Sequence, residues 1–121
     1  MAPNPDSPRL AAVIRNGEEL LSIAEEAGAI DIALCGSVAR GDDEDDKDPP
    51  SDLDFYVPDF RDPESRDARQ RADRLVDEFR RVLAPFGVDV RPLPGWFLSS
   101  EHEATMKRDA IDLRVIIAEF G

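Results

Sequence analysis

The chain is poor in the residues that make covalent cross-links and transition-metal sites, with one cysteine, Cys35, and one histidine, His102, in 121 residues. A single cysteine excludes an intrachain disulfide and gives no sign of an oxidising compartment. One histidine without further thiols or suitably placed acids does not make a zinc site. Bases are scarce too, 15 Lys and Arg against 27 Asp and Glu, and the formal net charge of -12 would repel a nucleic-acid backbone or an anionic lipid surface. No apolar run approaches the roughly 20 residues of a membrane span. The start, Met1-Ala2-Pro3-Asn4-Pro5-Asp6, has neither a basic nor an apolar targeting region. The expectation is a cytoplasmic protein whose partners include neither nucleic acid nor membrane.

What is present suffices for a core. Hydrophobic residues make up 41% of the chain and include six Phe, which argues against wholesale disorder even with 35% charged residues. Residues 1–121 are read as one domain, too small for separate catalytic and recognition units, so a large substrate needs help from another molecule.

Hydrophobic spacing supplies the elements. Leu10, Val13, Ile14, Leu20, Leu21 and Ala24 recur at helical intervals after Ser7-Pro8, an N-cap with Pro at N1, and Gly28 closes that first helix. Asp31 to Cys35 reads as a buried strand stopped by Gly36. The tract 42–50, with six acids, one Lys and two Pro, reads as a solvated acidic loop. Leu53, Phe55 and Val57 alternate with Asp52, Asp54 and Tyr56 in a strand that Pro58 is expected to end. A second helix is predicted from Asp62-Pro63, with the stripe Ala68, Ala72, Leu75, Val76, Phe79, Val82 and Leu83. Val88-Asp89-Val90 reads as a third strand, limited by Pro92 and Pro94. Ser100 and Glu103 have capping-box spacing for a short helix, and Ile111, Leu113 and Val115 alternate as a last strand. The order predicts an α/β (α+β) fold, a small mixed β-sheet with helices packed on it.

The chemistry gathers around Asp52-Leu53-Asp54. Carboxylates at i and i+2 of a strand share a face, separated by about 6.6 Å of rise, and can converge on divalent cations. An oxygen-only set suits Mg²⁺, held by one or two carboxylates together with the phosphates of a substrate. Upstream, Leu34-Cys35-Gly36-Ser37-Val38-Ala39-Arg40-Gly41 runs a strand into a Gly-Ser turn and a short helical piece. Such a turn offers backbone N–H groups and a hydroxyl to phosphate oxygens. Arg40 either adds charge there or pairs with neighbouring acids on the helix surface.

Gly36-Ser37-Val38-Ala39-Arg40-Gly41 followed by Ser51-Asp52-Leu53-Asp54-Phe55-Tyr56-Val57 resembles the DNA polymerase β-like nucleotidyltransferase superfamily. Within it, the chain looks most like the minimal nucleotidyltransferases, the antitoxin partners of HEPN-domain ribonuclease toxins. The resemblance covers most of the chain, and Asp89 falls where that family has its third acid. It implies the polymerase β palm-like fold, with Asp52, Asp54 and Asp89 as catalytic metal ligands for two Mg²⁺ ions. Gly36, Ser37 and Arg40 would bind the nucleotide. The implied reaction transfers AMP from ATP to a hydroxyl, with pyrophosphate leaving, and the implied acceptor is a tyrosine of the toxin. The chain departs from the family in the fourteen residues 38–51 between Ser37 and Asp52, a longer span whose surplus lies in the acidic loop. A surface insertion costs little loop entropy.

Two other readings share the fold. An antibiotic nucleotidyltransferase would find the acidic charge useful for a cationic aminoglycoside, but such enzymes carry a further helical domain for the drug. A non-catalytic toxin-binding module would need none of the acids. Other residues read structurally: His102 as solvent-facing, Cys35 as a small buried hydrophobe, and Trp96 with Phe97 as packing or a partner surface. Tyr56 has the parity of the acids and either approaches the nucleotide or packs on the sheet.

Overall fold

In a computed structural model of the chain the described residues are 2–43, 52–97 and 99–121. Four strands, β1 (Ala29–Cys35), β2 (Leu53–Phe60), β3 (Val88–Arg91) and β4 (Ile111–Asp112), form one sheet in the order β3-β2-β1-β4. β2 and β3 run parallel, while β1 is antiparallel to both β2 and β4, so the sheet is mixed as expected. Among the described residues there are six α-helices: α1 (Pro8–Arg15), α2 (Gly17–Ala27), α3 (Gly36–Arg40), α4 (Ala68–Leu83), α5 (Ser100–Asp109) and α6 (Leu113–Phe120). None is long and apolar enough to cross a membrane.

Alternation divides the sheet into two faces. Leu34, Leu53, Phe55 and Val90 join the main core with the stripe of α4, where Phe55 meets Phe79 edge-on with centroids 5.1 Å apart. Ala33, Cys35 and Tyr56 point the other way and form a smaller apolar cluster with Met106 of α5 among the described residues, with Phe97 and Ala110 at the margin. That thinly covered face also carries Asp54 and Asp89.

The first helix is two helices, not one. Ser7 caps α1 by accepting from the Leu10 N–H at 3.2 Å, but at Asn16 the chain turns and Gly17 opens α2. The break makes room for a neighbour: a Cβ at Gly17 would lie 2.6 Å from Ile117 Cδ1. Ile117 belongs to α6, which replaces the expected strand through Leu113 and Val115. Asp112 accepts from the Arg114 N–H at 2.7 Å and starts a helix whose Leu113, Ile116, Ile117 and Phe120 follow helical spacing onto the core. Only Ile111 and Asp112 remain as strand.

Three boundaries also move. β2 continues through Pro58, because pairing passes from Asp31↔Asp59 to Ala33↔Tyr56 and leaves one extra residue on β2, the kind of bulge that tolerates a proline. α4 begins at Ala68 rather than Asp62, and the intervening turn is tied down by Arg71, which donates to the carbonyls of Ala27, Arg61 and Asp62. The cap of α5 is Ser99, accepting from the His102 N–H at 3.0 Å, so the Ser100–Glu103 capping box does not form.

Candidate functional site

Parallel pairing of β2 with β3 sets Asp54 opposite Asp89, and antiparallel pairing of β1 sets Cys35 opposite Asp54. Neighbouring strands lie about 4.8 Å apart, so Cys35, Asp54 and Asp89 form one row on the thinly covered face. Tyr56 and Arg91 form the next row. Asp52 stands just before β2, exposed, beside the loop that enters β3: a Cβ on Gly87 would lie 2.2 Å from its Oδ1.

Gly36 turns β1 into α3 directly beneath this row. Its φ is +72°, a backbone region that L side chains rarely adopt, and a Cβ there would fall 2.2 Å from Asp54 Oδ2. The glycine is therefore required by the acid it faces. Ser37 follows, half-buried at the start of α3. With five residues α3 has little macrodipole, so phosphate binding here would depend on its first N–H groups and the Ser37 hydroxyl.

The acids repel one another. Burial, then the charges of Asp89 and Asp52, push the Asp54 carboxyl up from 3.8 to about 7, opposed by Arg40 and Arg91. Removing water, and then adding two like charges, leaves a carboxylate that holds its proton near neutrality unless a cation arrives. Cys35 is buried, and burial followed by the charges of Asp54, Asp89 and Asp109 drives its thiol far up, so it is an inert neighbour rather than a nucleophile. Burial also raises the Tyr56 phenol; the ring packs at 6.3 Å from Phe97, which places it on the sheet rather than in open solvent.

Arg40 and Arg91, the cations whose charge reaches Asp54 among the described residues, are both engaged. Arg40 Nη1 lies 2.7 Å from Asp109 Oδ2, and its Nε lies 3.2 Å from Asp42. The Asp109 side chain is only 6% exposed, so Arg40 is clamped from the end of α5. This is the pairing reading of Arg40, although Asp54 still feels its charge. Arg91 donates to Asp89 Oδ2 from Nη2 at 3.0 Å and Nε at 3.3 Å, and its Nη1 donates to the Trp96 carbonyl.

Asp52, Asp54 and Asp89 are thus gathered at one end of the sheet beside Gly36 and Ser37. Their donor chemistry, oxygen only, with like charges in need of neutralisation, fits Mg²⁺. As the side chains stand, however, no three carboxylate, imidazole or thiol groups among the described residues converge to hold a metal ion.

Sequence reasoning missed Arg91 and Asp109. Arg91 was legible, being two residues beyond Asp89 on the same strand face. Asp109 was not, since only the folded chain brings it to Arg40 across 69 residues. Composition predicts a wholly solvated acidic loop, but Asp43 is inside: its side chain is 2% exposed, accepts from Ser7 Oγ at 2.6 Å and lies 3.9 Å from Arg9 Nη1. Residues 44–51, the rest of that loop and Ser51, lie outside the described residues. His102 is half-buried against Phe97 at 5.9 Å, less exposed than expected. Trp96 packs against the core, with Arg69 5.8 Å from the ring centroid. Comparison with protein-family models, with curated proteins and with solved structures found no match for this chain.

Proposed function

We propose that this chain is a Mg²⁺-dependent nucleotidyltransferase that moves AMP from ATP to a hydroxyl, acting as the antitoxin of a pair whose toxin is a HEPN-type ribonuclease. One relationship carries the reading: the parallel register that sets Asp54 beside Asp89, at the mouth of the Gly36-Ser37 turn. Asp52, Asp54 and Asp89 are the carboxylates that would hold the metal. When bound, Mg²⁺ supplies positive charge to the triphosphate and to the attacking oxygen. The Gly36-Ser37 turn receives the terminal phosphates through N–H groups and a hydroxyl. In the transfer, the acceptor hydroxyl gives its proton to the Asp89 carboxylate and its oxygen bonds to the α-phosphorus. The bond from the α-phosphorus to the bridging oxygen breaks, and pyrophosphate leaves. The chain's own contribution is placement and charge, the two largest resources for such a displacement.

The acceptor in this reading is a tyrosine hydroxyl of the toxin, the acceptor that the family resemblance implies. Incubating the protein with α-³²P-labelled ATP, Mg²⁺ and the product of the neighbouring gene should label that product. The label should vanish with Asp52→Ala or Asp54→Ala. No transfer under those conditions, together with no calorimetric binding of ATP and Mg²⁺, would leave the scaffold alone as the function.

A further inference from the structure

We propose that Arg91 is a built-in counter-ion of the acid cluster: it holds Asp89 until a nucleotide-bound divalent cation replaces it, so that the bare cation is received poorly and the nucleotide-bound cation well. This rests on the nucleotidyltransferase reading and adds to it an order of binding and a residue that enforces the order.

Three observations support it. Among the described residues, Asp89 alone of the three acids is ion-paired, through two donors of one guanidinium on a single carboxylate oxygen, Oδ2. Arg91 is itself fixed, with a side chain 18% exposed and its remaining arm on the Trp96 carbonyl, so it is no loose surface cation. And Arg91 occupies the row next to Asp54 and Asp89 on the same face, where its charge partly offsets their repulsion of Asp54.

The consequence follows from charge. A bare divalent cation approaching Asp89 meets a guanidinium already on the carboxylate, and two cations at one carboxylate repel. A nucleotide changes the balance, because its phosphates attract both. With Nη1 kept on the Trp96 carbonyl, the Nε and Nη2 donors of Arg91 can exchange Asp89 for phosphate oxygens, which match its planar donors, and Asp89 is released to the metal.

Removing Arg91 should therefore shift two affinities in opposite directions. Titration calorimetry of the full chain with Mg²⁺ alone should show Arg91→Met binding about tenfold tighter than the native protein, the scale of one relieved cation–cation repulsion near a protein surface. With Mg²⁺ and a non-hydrolysable ATP analogue, the same variant should bind more weakly than the native protein. Arg69→Gln removes an equal charge from beside Trp96, and should alter either affinity by less than about twofold. Circular dichroism checks the fold, and if Arg91→Met does not fold, Arg91→Gln bears the same test. If the native protein takes up the Mg²⁺–nucleotide and the variant binds bare Mg²⁺ no tighter, the Arg91 proposal fails alone. If both affinities rise together, the displacement idea fails and only general electrostatics remains. If neither protein binds Mg²⁺ with or without the analogue, the nucleotidyltransferase reading falls and takes this proposal with it.

Discussion

Asp54 and Asp89 are register partners on parallel strands and point to the same face, so the fold holds two carboxylates side by side in a partly dry site. An arrangement that raises a carboxyl to about 7 costs stability, and carboxyls perturbed by burial and like charges cluster at functional sites.

The sign of that cost is testable. The unfolded Asp54 carboxyl titrates near 3.8 and the folded one near 7, so between those values the folded state binds a proton that the unfolded state does not. Stability from this residue is full below about pH 4, is lost as pH rises to about 7, and stays lost above. Asp54→Asn should therefore raise stability at pH 8, by about 2 to 4 kcal/mol, and leave it unchanged at pH 4. Thermal unfolding of both proteins across that range measures the difference. An equal effect at both ends would show that the carboxyl is not strained by its neighbours.

Gly36 and Asp54 are coupled by space. Gly36→Ala places a Cβ at positive φ and against Asp54 Oδ2, and should cost about 1–3 kcal/mol in urea unfolding. In an Asp54→Ala background the contact with the carboxylate is gone and only the backbone strain persists, so the same substitution should cost less. Additive losses would remove the contact as the reason for the glycine.

The Arg40–Asp109 pair ties α3 to α5 and should outweigh the exposed pairs. Asp109→Asn leaves Arg40 without its closest partner at a 6% exposed side chain, and about 2 kcal/mol of stability should go with it. Glu103→Gln, which breaks an exposed pair with Lys107 within α5, should leave the denaturation midpoint unchanged. Equal midpoints for the two variants would reduce Asp109 to a surface acid.

Much of this was readable in the sequence, and the failures share a cause. Alternation in residues 52–57 and 88–90 placed the acids on one face because a strand's period is short and local. The parallel pairing that makes them neighbours could be expected only through family resemblance. The segment 111–120 fits a period of two over Ile111, Leu113 and Val115, but also a helical period over Leu113, Ile116, Ile117 and Phe120. What decided between them was a cap at Asp112 and a notch at Gly17, far away in sequence. Composition misjudged Asp43 for the same reason, since its partners Ser7 and Arg9 belong to another element.

Asp43 gives the last prediction, and it concerns how the acidic loop starts. Arg9 is 3% exposed, lies 5.3 Å from the Phe86 ring centroid, and is close enough to Asp43 for an ion pair in a site with almost no water. Separating buried charges is worse than never having had them, because the survivor keeps its desolvation penalty without its partner's field. Arg9→Met should thus cost about 3 kcal/mol in chemical unfolding, because the buried Asp43 carboxylate loses its field, while Arg9→Met with Asp43→Leu should recover most of the loss. Recovery would mean that the pair fixes where the loop leaves α3 rather than supplying net stability. If the double variant recovers nothing, the contribution of Arg9 comes from its contact with Phe86 and its other partners rather than from Asp43.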